Sequence, residues 1–187
     1  MSKLYIKNMV CDRCKTSVKN QLITLGLHPV ALQLGEVIVT EELDDEKKIQ
    51  INQSLLPLGF ELIDDKKTRI IEKIKTTIVE LVHYSEQQIK TKLSKLLSEK
   101  LHHDYTYLSN LFSQVEGTTI EKYLIAQRIE KVKELLIYDE LSLNEIADQL
   151  NYSSAAYLSA QFKNFTGITP TQFKNLKDKK RIALDKL

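Results

Sequence analysis

Apolar positions along the chain follow two different periods. Over residues 1–65, short strand-like runs alternate with helical spacing. Leu4, Tyr5 and Ile6 form a run that ends at Asn8. Val18, Leu22 and Leu25 then recur on one helical face, and Gly26 supplies a stop. The run Val30 to Leu34, then Gly35, then Val37 to Val39 reads as a hairpin. Asp44 or Asp45 can cap a helix carrying Ile49, Ile51 and Leu55 to Leu58, which Gly59 ends. Phe60 to Ile63 closes the segment as another strand. The order strand, helix, strand, strand, helix, strand predicts a split βαβ, ferredoxin-like domain. Such a domain is a four-stranded antiparallel sheet with two helices on one face.

From about Lys66 the strand signal disappears. Ile71, Ile74, Ile78 and Leu81 keep helical spacing, and so does the long stretch from Thr119 to Ile137 through Ile120, Leu124, Ile125, Ile129, Val132, Leu135 and Leu136. The predicted class is α+β: a βαββαβ domain over 1–65, then an all-α domain over 66–187. The segment Asp64-Asp65-Lys66-Lys67 marks the boundary.

The helical half says one thing twice. Ser142 to Phe173 reads as a helix, a tight turn, a second helix, a glycine stop and a third short helix. Ser94 to Tyr123 has the same layout. Tyr107, Leu108, Ser109, Phe112 and Gly117 match Tyr157, Leu158, Ser159, Phe162 and Gly167 at a constant offset of 50 residues. Two short helices joined by a few residues are a common way to present one helix to the DNA major groove. In the later unit the first helix is expected to bury Leu143, Ile146, Ala147 and Leu150, and the second Tyr157, Leu158, Phe162 and Phe165. Outward positions are then Ser154, Ala155, Ala156, Ser159, Ala160 and Lys163 in the later unit, and Asp104, Tyr105, Ser109 and Asn110, with Thr106 beside them, in the earlier one. The helix between the units holds them at a fixed separation close to the spacing of successive major-groove faces, about 34 Å.

These residues resemble the DNA-binding domain of AraC/XylS-type transcriptional regulators over roughly Ile70 to Leu176. The pieces that carry the likeness are Arg128-Ile129 with Lys133 to Leu136, Ser142 to Ala147, Tyr157 to Lys163, and Gly167 to Phe173. The resemblance implies that the second helix of each unit enters the major groove. The chain departs from the family at Ala155, Ala156 and Ala160, where Arg or Gln is frequent. Alanine can touch a thymine methyl but cannot make a bidentate bond to a purine. Direct readout is therefore expected mainly from Thr106, Ser109 and Asn110, with the second unit gripping backbone and shape. Arg128, in the connecting helix, is expected to brace the two units, with a DNA contact as the alternative.

Met9, Cys11 and Cys14 follow the first strand and open the first helix, where thiolates are stabilised. Residues 3–64 resemble a heavy-metal-associated domain, whose loop carries Met-x-Cys-x-x-Cys; Asn8 stands where that family has Gly. Cys11 and Cys14 are the candidate metal ligands. The soft donors suit Cu(I) or Zn(II), although closed zinc binding needs two ligands from elsewhere. Thiol redox sensing and an idle pair stay open as alternatives. His83, His102 and His103 sit at predicted helix ends or turns, where caps and solvent satisfy them, and His28 is structural.

Composition adds limits. The net charge is +2, and 42% of residues are hydrophobic. Residues 1–69 balance 10 Lys+Arg against 10 Asp+Glu. From Lys163 onward there are seven basic residues (Lys163, Lys174, Lys177, Lys179, Lys180, Arg181, Lys186) against Asp178 and Asp185, a local excess that phosphate contacts need. No apolar run reaches a membrane span and no secretory leader is evident, so the expected location is cytoplasmic. No phosphate loop, nucleophile elbow or HExxH points to an enzyme. The expected function is a sequence-specific DNA-binding transcriptional regulator that responds to a soft metal through its CxxC. The alternative is a metal-trafficking or protein-interaction protein with a degenerate helix-turn-helix domain. Double-stranded DNA is the expected partner, with RNA polymerase a candidate second one, no membrane, and a monomer or homodimer.

Overall fold

The computed structural model describes residues 1–63, 65–85, 92–176 and 181–186. Asp64 of the boundary segment, and Lys177, Asp178, Lys179 and Lys180 of the basic run, lie outside the described residues. The chain is of mixed α+β class, mostly helical, and divides into two compact units, Met1–Thr76 and Thr77–Leu187.

The first unit runs β1 (Ser2–Lys7), α1 (Asp12–Thr24), β2 (Pro29–Gln33), β3 (Glu36–Val39), α2 (Asp45–Leu55) and β4 (Glu61–Leu62). The strands form one antiparallel sheet in the order β2-β3-β1-β4. Gln33 pairs with Glu36, so Leu34 and Gly35 alone make the hairpin turn, and Gly35 takes the left-handed φ of +78° that such a turn needs. Leu4 and Ile6 of β1, with Val37 and Val39 of β3, face a core completed by Val18 and Leu22 of α1 and Ile51 and Leu55 of α2. Asp44 caps α2, its carboxylate accepting the Lys47 N–H at 2.7 Å. Ile49, Leu56 and Leu58 are exposed rather than core. The chain leaves α2 after Leu55 for a 3₁₀ turn containing Pro57, and this turns the last two leucines outward.

A third helix, α3 (Lys66–Val79), starts inside the segment that the sequence reads as a connection. Asp65 caps it, accepting the Thr68 N–H at 2.7 Å and the Thr68 hydroxyl at 2.8 Å. Residues alternate across a strand, so Lys3 and Tyr5 point away from the Leu4–Ile6 face. The Arg69 guanidinium lies 4.5 Å from the Tyr5 ring centre and the Lys73 ammonium 5.6 Å. Glu36 takes Lys3 at 2.5 Å and Lys73 at 2.9 Å. The sheet thus carries α3 opposite the face of α1 and α2, and the first compact unit extends past the change of pattern at residue 65 to Thr76.

In the second unit a π-helical turn (Glu80–Tyr84) follows α3, then α4 (Leu93–Leu101), α5 (Tyr105–Glu116), α6 (Ile120–Tyr138), α7 (Leu143–Gln149), α8 (Ala155–Thr166) and α9 (Pro170–Lys174). The repeat is structural. Leu108 and Leu158, and Phe112 and Phe162, are fully buried at equivalent places. Gly117 and Gly167 end α5 and α8 with φ of 67° and 82°. The Phe112 and Tyr123 rings lie 5.7 Å apart, and those of Phe162 and Phe173 5.6 Å. Ser142 with Glu145, and Thr169 with Gln172, form capping boxes. Tyr157 and Phe165 depart from expectation: both are exposed. Tyr157 precedes Leu158 and is turned about 100° from it, so the two cannot share one buried stripe. Phe165 lies in the last turn of its helix.

The 19 residues of α6 span about 28 Å. Its Ile129, Val132 and Leu136 share a core with Ile146, Ala147, Leu150, Leu158, Phe162 and Phe173. The Arg128 guanidinium lies 5.7 Å from the ring centre of Tyr152, on the turn before α8. Polar residues of α6 are buried too. Gln127 donates to the Tyr123 hydroxyl at 3.0 Å and to the Leu184 carbonyl at 3.2 Å, and accepts from His83 Nε2 at 3.0 Å. Glu130 pairs with Lys133 at 2.5 Å and accepts the Ile182 N–H at 3.0 Å, while Arg181 pairs with Glu134 at 3.0 Å. The segment 181–186 is thereby fastened along α6. His83 is not satisfied by solvent as the sequence suggested. It is half-buried, and burial pushes its pKa below the ordinary 6.5, with the Gln127 bond acting the other way.

Two outcomes follow from this packing. Phe162→Ala should destabilise the second unit by about 3–5 kcal/mol, read by urea unfolding followed by circular dichroism. The depressed pKa means that the unfolded chain takes up the His83 proton first as pH falls below 6.5. The wild type should therefore lose melting temperature as pH falls below that value, and His83→Gln should reduce this loss.

Candidate nucleic-acid interface and thiol pair

Each helix-turn-helix unit leaves one stripe of its second helix in solvent. On α5 the stripe is Thr106, Tyr107, Asn110 and Gln114; on α8 it is Ala156, Tyr157, Ala160, Lys163 and Asn164, with Val115 and Phe165 exposed beyond the stripes near the helix ends. The 50-residue offset superposes four positions of the two stripes, while Lys163 corresponds to the half-buried Ser113. Their chemistry differs. The α5 stripe offers a hydroxyl, a phenol and two amides. The α8 stripe offers two methyls, a phenol, an ammonium and an amide.

Of the positions expected to face outward, Thr106, Asn110, Ala156, Ala160 and Lys163 lie on these stripes, and Ser109 and Ser159 are half-buried at their edges. Ser154 is exposed as well, and Ala155 is half-buried. Ser154 is the N-cap of α8, its hydroxyl accepting the Tyr157 N–H at 3.1 Å, and Ala155 packs on the core shared by α6 to α9. Sequence reasoning missed Tyr107, Gln114, Tyr157 and Asn164. A step of four residues from Asn110 and Ala160 finds Gln114 and Asn164; residue type places Tyr157 in the core, and Tyr107 enters only as its match in the repeat.

The N-cap of α5 is Asp104, whose carboxylate is held below its ordinary range by the Thr106 backbone N–H it accepts at 2.8 Å. The Tyr105 hydroxyl donates to Glu121, and its pKa is raised first by burial and then by that carboxylate. Of the basic run, Lys174 pairs with Asp139 and Arg181 with Glu134, while Lys163 stands exposed in the last turn of α8.

This duplicated geometry agrees with known proteins. Residues 97–175 match the family model described as a helix-turn-helix domain. The transcriptional regulatory protein YesN of Bacillus subtilis is 34% identical over 70 residues, which are 36% of this chain and 19% of that protein. The xylose operon regulatory protein of Escherichia coli is 33% identical over 69 residues, 37% of this chain and 18% of that one. The chain thus matches less than a fifth of the length of these relatives. The C-terminal domain of AraT, a response regulator from Geobacillus stearothermophilus, superposes with a TM-score of 0.50 at 27% identity, covering 64% of this chain and 92% of that one. The helical half of the chain is therefore a helix-turn-helix DNA-binding domain. Its type is that of the AraC regulators.

The thiol pair stands at the start of α1. Cys11 is the residue that precedes the helix, with extended backbone and no side-chain capping bond, and Cys14 lies in the first turn. Their sulfurs are 3.1 Å apart. Cys14 packs partly against the core of the first unit, and burial, followed by the Cys11 contact, raises its thiol pKa. Met9 is fully buried in that core. Among the described residues no group of three or more His, Cys, Asp or Glu is placed to hold a metal. No helix among them is long and apolar enough to cross a membrane.

Proposed function

We propose that this chain is a sequence-specific DNA-binding transcriptional regulator whose first unit is a ferredoxin-like, heavy-metal-associated domain. The observation that carries the DNA reading is the pair of equivalent exposed stripes on α5 and α8, each closed by its own buried phenylalanine and glycine stop, with α6 between them. The stripe on α5 keeps hydrogen-bonding groups at Thr106, Ser109 and Asn110. The stripe on α8 offers methyl groups and Lys163, suited to thymine methyls, groove shape and phosphate.

Support for the first unit's assignment is its strand and helix order, its antiparallel strand order β2-β3-β1-β4, and a CxxC at the start of its first helix. Cys11 and Cys14 would hold the metal. Two soft sulfurs on one helical turn fit Cu(I), whereas Zn(II) needs further ligands. A bound Cu(I) would offset one of the two thiolate charges and fix both side chains. In this reading metal binding and DNA binding are coupled, each shifting the affinity of the other.

Binding should be measured with the full chain by fluorescence anisotropy, on a duplex selected by the wild type from a randomised library and on a scrambled duplex. Preference for the selected duplex and steep loss with salt are expected. Asn110→Ala should cost about 1–3 kcal/mol on the selected duplex and little on the scrambled one. Equal affinity for both duplexes at every salt concentration would contradict sequence-specific binding and favour a protein-interaction role. Anaerobic Cu(I) titration against a competing chelator should show one ion held by the wild type and none by Cys11→Ser/Cys14→Ser. A wild type that does not compete for Cu(I) or Zn(II), or whose DNA affinity is the same with and without metal, removes the sensing part.

A further inference from the structure

Two large aromatic side chains stand in solvent where nothing in the packing requires them. Tyr107 is 45% exposed and Tyr157 54%. They occupy the same position in the two units, in the first turn of each reading helix. At 3.6 residues per turn each lies about 60° around its helix from the middle of the exposed stripe, at Asn110 or Ala160. Both therefore stand on the same flank of their helices.

The second shared feature is a brace. The Tyr107 ring lies 5.2 Å from that of His103, and the Tyr157 ring 6.1 Å from that of Tyr152. In both units the bracing ring comes from the turn between the two helices. Those turns are built differently: α4 ends at Leu101 and α5 starts at Tyr105, whereas α7 ends at Gln149 and α8 starts at Ala155. A left-handed residue occurs at His102 in the first and at Asn151 in the second. The turns differ, yet each sets an aromatic ring beside an exposed tyrosine. Tyr152 is itself held by its hydroxyl donating to Gln161 at 2.7 Å.

A helix seated in the major groove has its stripe toward base edges and its flanks toward the two sugar–phosphate walls. Tyrosine hydroxyls are among the neutral groups that donate to phosphate. Resting on the DNA-binding reading above, we infer that Tyr107 and Tyr157 are backbone-positioning residues. Each hydroxyl donates to a DNA phosphate oxygen on the same flank of its reading helix, and His103 and Tyr152 orient the rings. This gives both units one matched, sequence-independent anchor, although their base-facing stripes differ.

The test uses Tyr107→Phe, Tyr157→Phe and the double variant of the full chain, on the selected and scrambled duplexes across a salt series. Phenylalanine keeps the ring and its brace, so melting temperatures should not move. Each single variant should bind both duplexes about three- to tenfold more weakly, by similar factors. The salt slope should stay at the wild-type value, since a neutral hydroxyl displaces no counterion. Lys163→Gln, as comparison, should lower that slope by about one. Phe variants that bind like wild type, or lose affinity for the selected duplex alone, would overturn the inference. A wild type with no affinity for either duplex would overturn the DNA reading itself, and this inference with it.

Discussion

The burial of α6 is the constraint on which the second unit depends. Its Ile129, Val132 and Leu136 complete the core of the later helix-turn-helix, and its Tyr123 closes on Phe112 of the earlier one. Neither pair of short helices has enough apolar surface to form a core alone, since most helical stability comes from tertiary packing. With one helix completing both, the separation and relative rotation of α5 and α8 become properties of α6. The same helix buries Gln127 and Glu130, which burial would penalise without partners. Their partners come from His83, Tyr123, Lys133 and the segment 181–186, so residues distant in sequence converge on the strut.

Function follows from what that rigid frame leaves outside. The two stripes are geometrically equivalent and chemically unequal. An amide and hydroxyls on α5 can distinguish bases, whereas methyls on α8 distinguish little beyond a thymine methyl. A reader built this way gains discrimination from one half and position from the other. Matched tyrosines at the flanks would supply the same register to both halves.

Much of this was legible in the residues. The repeat, the glycine stops, the Asp44 cap and the strand–helix order of the first unit are local signals, and local chemistry settles them. Three features were not. Tyr157 is expected in the core because aromatic residues suggest it, and its match Tyr107 is passed over; the helical register of Leu108 with Phe112, and of Leu158 with Phe162, leaves neither a place in it. Gln127, Glu130 and Lys133 are polar, and their burial depends on His83, Tyr123, the Glu130–Lys133 pair and a tail some 50 residues away. The role of α3 against the sheet rests on Arg69 and Lys73 over Tyr5, a contact between residues more than 60 positions apart. Long-range pairing of charged and aromatic groups leaves no periodic trace. The proposed metal-binding role of Cys11 and Cys14 rests on spacing and on their place at the start of α1.

The central claim is that one rigid helix holds two unequal readers on the same side of a duplex. Hydroxyl-radical footprinting of the full chain on its selected duplex tests it most directly. Two protected segments on one face, centred about one helical turn apart, are the predicted result. A single protected segment, or two whose spacing varies from one selected duplex to another, would contradict it.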